Sequence, residues 1–75
     1  MNVDELRAAL AATDVDPCMY CVLEKPDDCQ WVLRRQGKVW LTFWMERGRK
    51  FHLERFKTES AACEYFYNQV TNRAF

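Results

Sequence analysis

Apolar residues recur at helical spacing at both ends of the chain, with a different pattern between them. The N-terminal series runs at intervals of three or four residues, through Val3, Leu6, Ala9, Leu10 and Thr13. Asn2 stands before it with Glu5 three residues further on, which is the spacing of a helix N-cap, and Pro17 stops the helix. A second series follows Thr58, another good N-cap, and comprises Ala62, Cys63, Phe66, Tyr67 and Val70. The pattern predicts one helix at each end, the second fading near Asn72.

The middle of the chain has the pattern of β-strands separated by turns. Segments rich in β-branched and aromatic residues predict four strands, over residues 19–23, 29–35, 39–46 and 50–56. Short polar or glycine-containing segments separate them, as in hairpins. The order is α-β-β-β-β-α in a single domain, residues 1–75. We expect an α+β fold, an antiparallel four-stranded meander with the N- and C-terminal helices on one face.

The third predicted strand is apolar on both sides. The residues of one side are Trp40, Thr42 and Trp44, and those of the other are Val39, Leu41, Phe43 and Met45. A strand with one face in water alternates apolar with polar residues instead. One side packs on the helices. The other needs a cover from a loop, a second copy of the chain or another protein, unless the long stems of Arg and Lys shield it in part.

Composition and charge narrow the class of protein. With 75 residues, of which 49% are hydrophobic and 15% aromatic, the chain suits one small folded domain and not a disordered segment. Residues 1–30 carry two bases and seven acids, a balance of −5, and residues 31–75 carry nine bases and four acids, a balance of +5. Such asymmetry steers charged partners. Because no secretory signal or membrane-spanning run is visible, we expect a cytoplasmic protein without membrane association.

Four cysteines and one histidine raise the question of metal or redox chemistry. Cys18 and Cys21 have the spacing of a zinc knuckle, with Cys29, His52 and Cys63 as further soft ligands. No second C-x-x-C or H-x-x-H motif accompanies them, so we expect free, buried thiols in a reducing compartment, and no metal or cofactor. His52 has no visible relay partner, and only two glycines are present for a phosphate-binding loop. We expect no catalytic residues and no enzymatic activity.

Basic residues interleaved with aromatics leave nucleic-acid binding as an alternative. The bases are Arg34, Arg35, Lys38, Arg47, Arg49, Lys50, Arg55 and Lys57, and the aromatics are Trp31, Trp40, Phe43, Trp44 and Phe51. A sheet that presents aromatic rings amid positive charge stacks bases and holds phosphates. Zero net charge disfavours nucleic acid as the partner, since such domains are usually basic. A homodimer that buries its second sheet face is the remaining alternative.

Two stretches of the chain resemble a known family. One is VWLTFWMERGR, residues 39–49, and the other is FKTESAACEYF, residues 56–66. This combination of a Trp with alternating aromatics, Glu-Arg-Gly, and Thr/Ser-Glu leading into a helix resembles small bacterial immunity proteins of contact-dependent growth inhibition and related polymorphic toxin systems. The resemblance covers roughly residues 20–70 and includes no catalytic motif. It implies an antidote that binds a cognate toxin domain and occludes its active or substrate-binding site.

The resemblance also implies which strand residues meet the partner. It places Trp40, Thr42 and Trp44 on the core side and leaves the alternate residues outward. The expected partner-binding residues are Leu41, Phe43 and Met45 as apolar anchors, with Asp27, Asp28, Arg47 and Arg49 setting the electrostatic register. On this assignment Phe43→Ala weakens binding by more than about 1 kcal/mol and leaves the fold intact. Since antidotes to nucleases are often acidic, a nuclease is disfavoured as the toxin unless acidic residues 14–28 form the docking patch.

Overall fold

The secondary structure follows the predicted order of helices and strands. In the computed structural model, which describes residues 1–72, the elements are α1 (Val3–Ala11), a 3₁₀ turn (Pro17–Met19), β1 (Tyr20–Val22), β2 (Gln30–Gln36), β3 (Val39–Glu46), β4 (Arg49–Phe56) and α2 (Glu59–Thr71). The predicted bounds of β3 are confirmed, and the other strands differ by one residue at their ends. The α+β class is therefore confirmed.

Both helices begin at the predicted caps. The Asn2 side chain accepts a hydrogen bond from the Glu5 N–H at 2.8 Å, and the Glu5 carboxylate accepts one from the Asn2 N–H at 2.8 Å. Thr58 Oγ1 accepts a hydrogen bond from a backbone N–H in the first turn of α2. The Val3 N–H donates to Glu59 Oε2 at 2.8 Å, which joins the first turn of α1 to the first turn of α2. Each of these bonds satisfies an N–H group that has no partner within its own helix.

The sheet is mixed, which corrects the predicted antiparallel meander. The strand order is β1-β2-β3-β4, and β2, β3 and β4 pair antiparallel as expected. β1 pairs with β2 in parallel, with Val22 opposite Leu33. Parallel neighbours usually need a long crossover, but β1 has three residues, so the connection over residues 23–29 suffices to return the chain to the start of β2. Leu23 and Cys29, at the two ends of this connection, have positive φ of 61° and 56°.

A tight turn and a bulge fix the geometry of β4. Arg47 and Gly48 join β3 to β4 with φ of 53° and 73°, the left-handed conformation that a two-residue type I′ hairpin turn requires. Further along, the register shifts, and β4 contains one more residue than β3 in this part of the pairing. His52 lies in the bulge, with φ of 56°. The bulge reverses the side on which the following residues of β4 lie.

The main core lies between the two helices and one face of the sheet, which we call the inner face. Its buried residues are Val3, Leu6, Leu10, Val22, Leu33, Trp40, Ala62, Cys63, Phe66 and Val70. Leu33 and Trp40 come from the sheet side that also carries Thr42 and Trp44, so the expected core side of β3 is found. The opposite side is called the outer face. Among residues 1–72, no helix combines the length and the apolar character needed to cross a membrane.

Candidate protein-binding surface

The outer face of the sheet has a small apolar floor of its own. Val32, Leu41 and Phe43 form a second cluster of buried residues, with Met45 packed against it. Leu41 and Phe43 therefore lie on the side of the sheet that we expected, but they are 6% and 0% exposed. The expectation that they are exposed anchors is wrong. Met45, at the turn end of β3, is half-buried.

Long basic side chains and one loop account for this burial. The Lys50 ammonium lies 5.2 Å from the centroid of the Phe43 ring, a cation–π distance. In the register, Leu41 stands between Arg34 on one side and Arg55 on the other. Lys and Arg cover apolar surface with their methylene stems while the charged ends stay in water. This is the alternative in which long stems shield the second face, and it holds for the central part of the floor.

The β1–β2 connection covers the other end of the floor. Cys21 pairs with Val32 in the parallel register and is buried. Its Sγ donates to the backbone carbonyl of Glu24 at 3.1 Å. This bond draws the connection that follows β1 toward the outer face. Val32, beside Cys21 in the register, is fully buried although no helix packs on this side.

The strands that form the outer face present bases and no acids there. Arg34, Lys50 and Arg55 share the outer side with the floor residues opposite them. The two carboxylates of these strands, Glu46 and Glu54, pair with Arg49 and Thr42 on the inner side, and Glu46 Oε1 accepts from the Trp44 indole N–H at 2.9 Å. Within residues 1–72, none of the three outer-face bases forms an ion pair. The face therefore combines an apolar floor with a positive rim.

Two exposed apolar side chains border this rim. Leu53 is 42% exposed and Val39 is 37% exposed. Alternation along β3 places Val39 on the outer side with Leu41. On β4, Glu54 faces inward opposite Thr42, so the preceding residue, Leu53, lies on the outer side. Leu53 is not among the partner-binding residues that the sequence predicts. If side chains simply alternated along β4 from the β3–β4 turn, Leu53 would lie on the inner side. The bulge adds a residue before it and therefore places Leu53 on the outer side.

The turn end of the sheet brings together four of the seven expected partner-binding residues. Asp27, Asp28, Met45 and Arg47 line one cleft, together with Pro26 and Gly48. Asp28 Oδ1 accepts a hydrogen bond from the Arg47 N–H at 2.5 Å, which ties the β1–β2 connection to the β3–β4 turn. Arg49 lines the neighbouring cleft, which it shares with Arg47. The remaining two, Leu41 and Phe43, lie in the centre of the outer face.

Except for Phe43, the aromatic residues of the strands lie on the inner side of the sheet, opposite the outer-face bases. Phe51, which is 43% exposed, pairs with Trp44 on this inner side. Trp31 and Trp44 pack edge to face, with ring centroids 5.6 Å apart, and the His52 ring lies 6.3 Å from Trp31. Trp40 is also on the inner side, under the Arg35 guanidinium at 5.3 Å. Phe43 is the aromatic of β3 on the outer side, and it is fully buried. The outer face thus lacks the exposed aromatic rings of β2 and β3 that base stacking would use.

The four thiols are free, and the surroundings of Cys18 and Cys63 raise the pKa of those two thiols. Cys21 and Cys63 are buried, whereas Cys18 and Cys29 are exposed, so the expectation of burial is wrong for those two. The Cys18 thiol donates to Asp16 Oδ1 at 2.9 Å, and this carboxylate raises the pKa of the thiol. Burial raises the pKa of the Cys63 thiol to about 11. In the described part of the chain, no three His, Cys, Asp or Glu side chains are grouped so that they could hold a metal ion.

Comparison with known proteins does not add a relative to this description. No protein-family model matches the chain, and no match was found among curated proteins or solved structures.

Proposed function

We propose that this protein is an immunity protein, which binds a cognate bacterial toxin domain in the cytoplasm and neutralises it by occluding its active or substrate-binding site. The observation that carries the proposal is the outer face of the sheet, where an apolar floor and a positive rim lie without a helix over them. The resemblance of residues 39–49 and 56–66 to immunity proteins supplies the class of partner. Inhibition by occlusion needs a binding surface and no chemistry of the protein's own.

The surface has the parts that a protein interface uses. Interfaces combine a few apolar anchors with a surrounding polar rim. Leu53 and Met45 are the accessible apolar groups beside the rim, at 42% exposure and half-buried respectively. Leu41 and Phe43 contribute from below, because they form the floor on which the Arg and Lys stems rest. Asp27, Asp28, Arg47 and Arg49 extend the surface at the turn end.

Co-expression with a toxin tests this proposal directly. The candidate to be tested is the C-terminal domain of the protein encoded immediately upstream of this gene, and the readouts are growth rescue and co-purification. We expect the toxin domain alone to stop growth and the pair to grow and to yield a stable complex. A neighbouring domain that is harmless alone, or that stays lethal and unbound beside this protein, contradicts the immunity function.

A pair of variants ties the rescue to the outer face. Leu53→Asp places a carboxylate on the exposed anchor, and we expect it to raise the Kd by roughly tenfold or more, as for a central interface residue. Asn68→Asp adds the same charge on the exposed surface of α2 and should leave rescue intact. Equal loss of binding in both variants, with both folded, would show that the outer face is not the docking surface.

A further inference from the structure

We infer that the partner meets the outer face with an acidic protein surface, so that carboxylates of the partner pair with Arg34, Lys50 and Arg55. This inference rests on the proposed function for the partner being a protein, and it adds the chemistry of the surface that the partner presents. The zero net charge of the chain does not by itself indicate an acidic partner. The inference follows instead from the uneven distribution of charge over the folded molecule.

Three of the eleven bases are arranged around the floor. Arg34 and Arg55 lie on either side of Leu41 in the register, on strands that neighbour β3. Lys50 pairs with Met45 and extends over Phe43, toward the turn end of the same face. Three positive groups thus surround an apolar centre from three sides. A complementary surface carries carboxylates around a small apolar protrusion.

The outer-face bases are available to a partner. Lys50 and Arg55 are exposed and Arg34 is half-buried. Within residues 1–72 the salt bridge is between the N-terminal ammonium and Glu64 of α2, the helix that packs on the inner face of the sheet. A partner's carboxylates would therefore not have to displace an existing ion pair from these three side chains. Arg in particular forms bidentate bonds with carboxylates.

The same face is not complementary to itself. An interface between two copies related by twofold symmetry uses the same patch on both, so the patch has to be self-complementary. Across β2, β3 and β4 the outer face presents three bases, while Glu46 and Glu54 are directed to the inner side. Two copies that meet floor to floor would oppose bases with bases, since the acids of the neighbouring surface, Asp27 and Asp28, lie at the turn end beside Arg47. The charge distribution thus favours a different, acidic protein over a second copy.

A nucleic acid offers negative charge as well, but it fits this face less well. Single-stranded binding surfaces combine positive charge with exposed aromatic rings on which bases stack. Here Trp31, Trp40 and Trp44 belong to the inner side, and Phe43 beneath Lys50 has 0% exposure. The apolar groups that are exposed beside the rim are the aliphatic Leu53 and Val39. An aliphatic anchor offers no ring on which a base could stack, whereas a protein interface combines an apolar centre with a polar rim.

Titrations of the isotope-labelled, full-length protein with defined polyanions test the inference. The probes are poly-L-glutamate, poly-L-lysine and oligothymidylate, and amide chemical shifts identify the residues affected. We expect poly-L-glutamate to shift the amides of Arg34, Lys50, Leu53 and Arg55, with an affinity that falls as salt increases. Poly-L-lysine should leave these amides unchanged. Shifts confined to other parts of the molecule overturn the inference, and tighter binding of oligothymidylate than of poly-L-glutamate assigns the face to nucleic acid instead.

Charge-reversal variants give the matched control. R34E/R55E reverses two outer-face bases, and K38E/K57E makes the same charge change in the β2–β3 turn and in the β4–α2 connection. We expect R34E/R55E to weaken poly-L-glutamate binding by roughly tenfold or more and K38E/K57E to leave it within about threefold. Equal weakening in both pairs overturns the inference. R34E/R55E also changes the stems that cover Leu41, so the milder pair R34Q/R55Q is measured beside it. We expect R34Q/R55Q to lose binding while its amide spectrum stays native, and unchanged binding by this pair overturns the inference.

The toxin complex separates failure of this inference from failure of the proposed function. In one outcome the protein neutralises a toxin domain, and R34E/R55E and R34Q/R55Q bind this domain as tightly as the unsubstituted protein does. This result supports the immunity function and overturns the inference of an acidic partner surface. In the other outcome no toxin is neutralised, but poly-L-glutamate binds specifically at Arg34 and Arg55. This result contradicts the immunity function and supports the binding of acidic surfaces.

Discussion

Phe43 shows at the scale of a single residue how the outer face is built. It lies on the side of the sheet away from the helices, yet it has no exposed surface. The Lys50 ammonium lies 5.2 Å from its ring, and Val32 and Leu41 are buried beside it. The side chain therefore belongs to a small second core and supports the surface from below.

A truncation at this position separates a core role from a binding role. We expect Phe43→Ala to lower the free energy of unfolding by about 3–5 kcal/mol, because it removes a fully buried ring and leaves a cavity. Leu53→Ala, which truncates an exposed side chain of the same face, should change it by less than about 1 kcal/mol. Urea unfolding of the free protein measures both values. Unchanged stability of Phe43→Ala would mean that the ring is exposed, as the sequence analysis expected.

The sequence predicted the side of β3 on which each residue lies, but not its depth. Alternation along a strand assigns Leu41, Phe43 and Met45 to one face, because successive side chains point to opposite sides. Burial on that face depends on which stems fold over it. Lys50 and Arg55 come from β4, and their position over the floor follows from the register and the bulge, which the local sequence does not display.

At the scale of elements, the two helices are joined at their first turns. Glu59, in the first turn of α2, accepts the hydrogen bond of the Val3 N–H at 2.8 Å. Val3 is 8% exposed, so water has little access to replace this acceptor. The carboxylate also lies at the N-terminal end of α2, where the helix dipole favours negative charge. One side chain therefore stabilises the ends of both helices.

Removing this acceptor should cost more than removing a surface ion pair. We expect Glu59→Ala to lower the free energy of unfolding by about 1–3 kcal/mol, because it leaves a poorly accessible N–H without a partner. Glu64 is the matched control. Its carboxylate meets the N-terminal ammonium at 3.4 Å with 59% of its side chain exposed, so Glu64→Ala should cost less than about 1 kcal/mol. Thermal or urea unfolding of both variants gives the comparison, and the reverse ranking would show that Glu59 does not join the helices.

Element order and caps could be predicted from the sequence, whereas strand direction could not. The Asn2–Glu5 box and Thr58 are local signals, and both are present in the structure as expected. The turn-forming residues after β1 indicate that the chain changes direction. They do not indicate whether it reverses once, which gives antiparallel pairing, or twice, which gives parallel pairing. The pairing is parallel because the connection between Leu23 and Cys29 returns the chain to the start of β2. A connection of this length suffices because β1 has only three residues.

At the scale of the whole molecule, the charge of the sequence is sorted onto different surfaces. The acids of the first 30 residues lie on α1 and in the connections on either side of β1, while the outer face of the sheet carries bases. A molecule with zero net charge consequently presents a positive surface on one side. Fields of this kind orient an approaching partner and raise association rates at low salt.

The candidate site could be predicted in part at this scale. The turn chemistry around Asp28 and Arg47 pointed to residues that the fold does bring into one cleft. The positive rim could not be assigned, because Arg34, Lys50 and Arg55 come from two strands whose register the local sequence does not display. The side on which Arg55 lies depends in addition on the bulge at His52. The seven expected residues consequently describe the turn end and the floor of the surface better than its rim.

Amide hydrogen exchange of the protein, free and in complex with the toxin domain that it neutralises, tests the central claim that the outer face is the docking surface. The account predicts slower exchange in the complex for Lys50, Leu53 and Arg55 on β4 and for the β3–β4 turn, while the exposed side of α1 stays unchanged. Slower exchange confined to α1 and α2, with β4 exchanging as in the free protein, would contradict it.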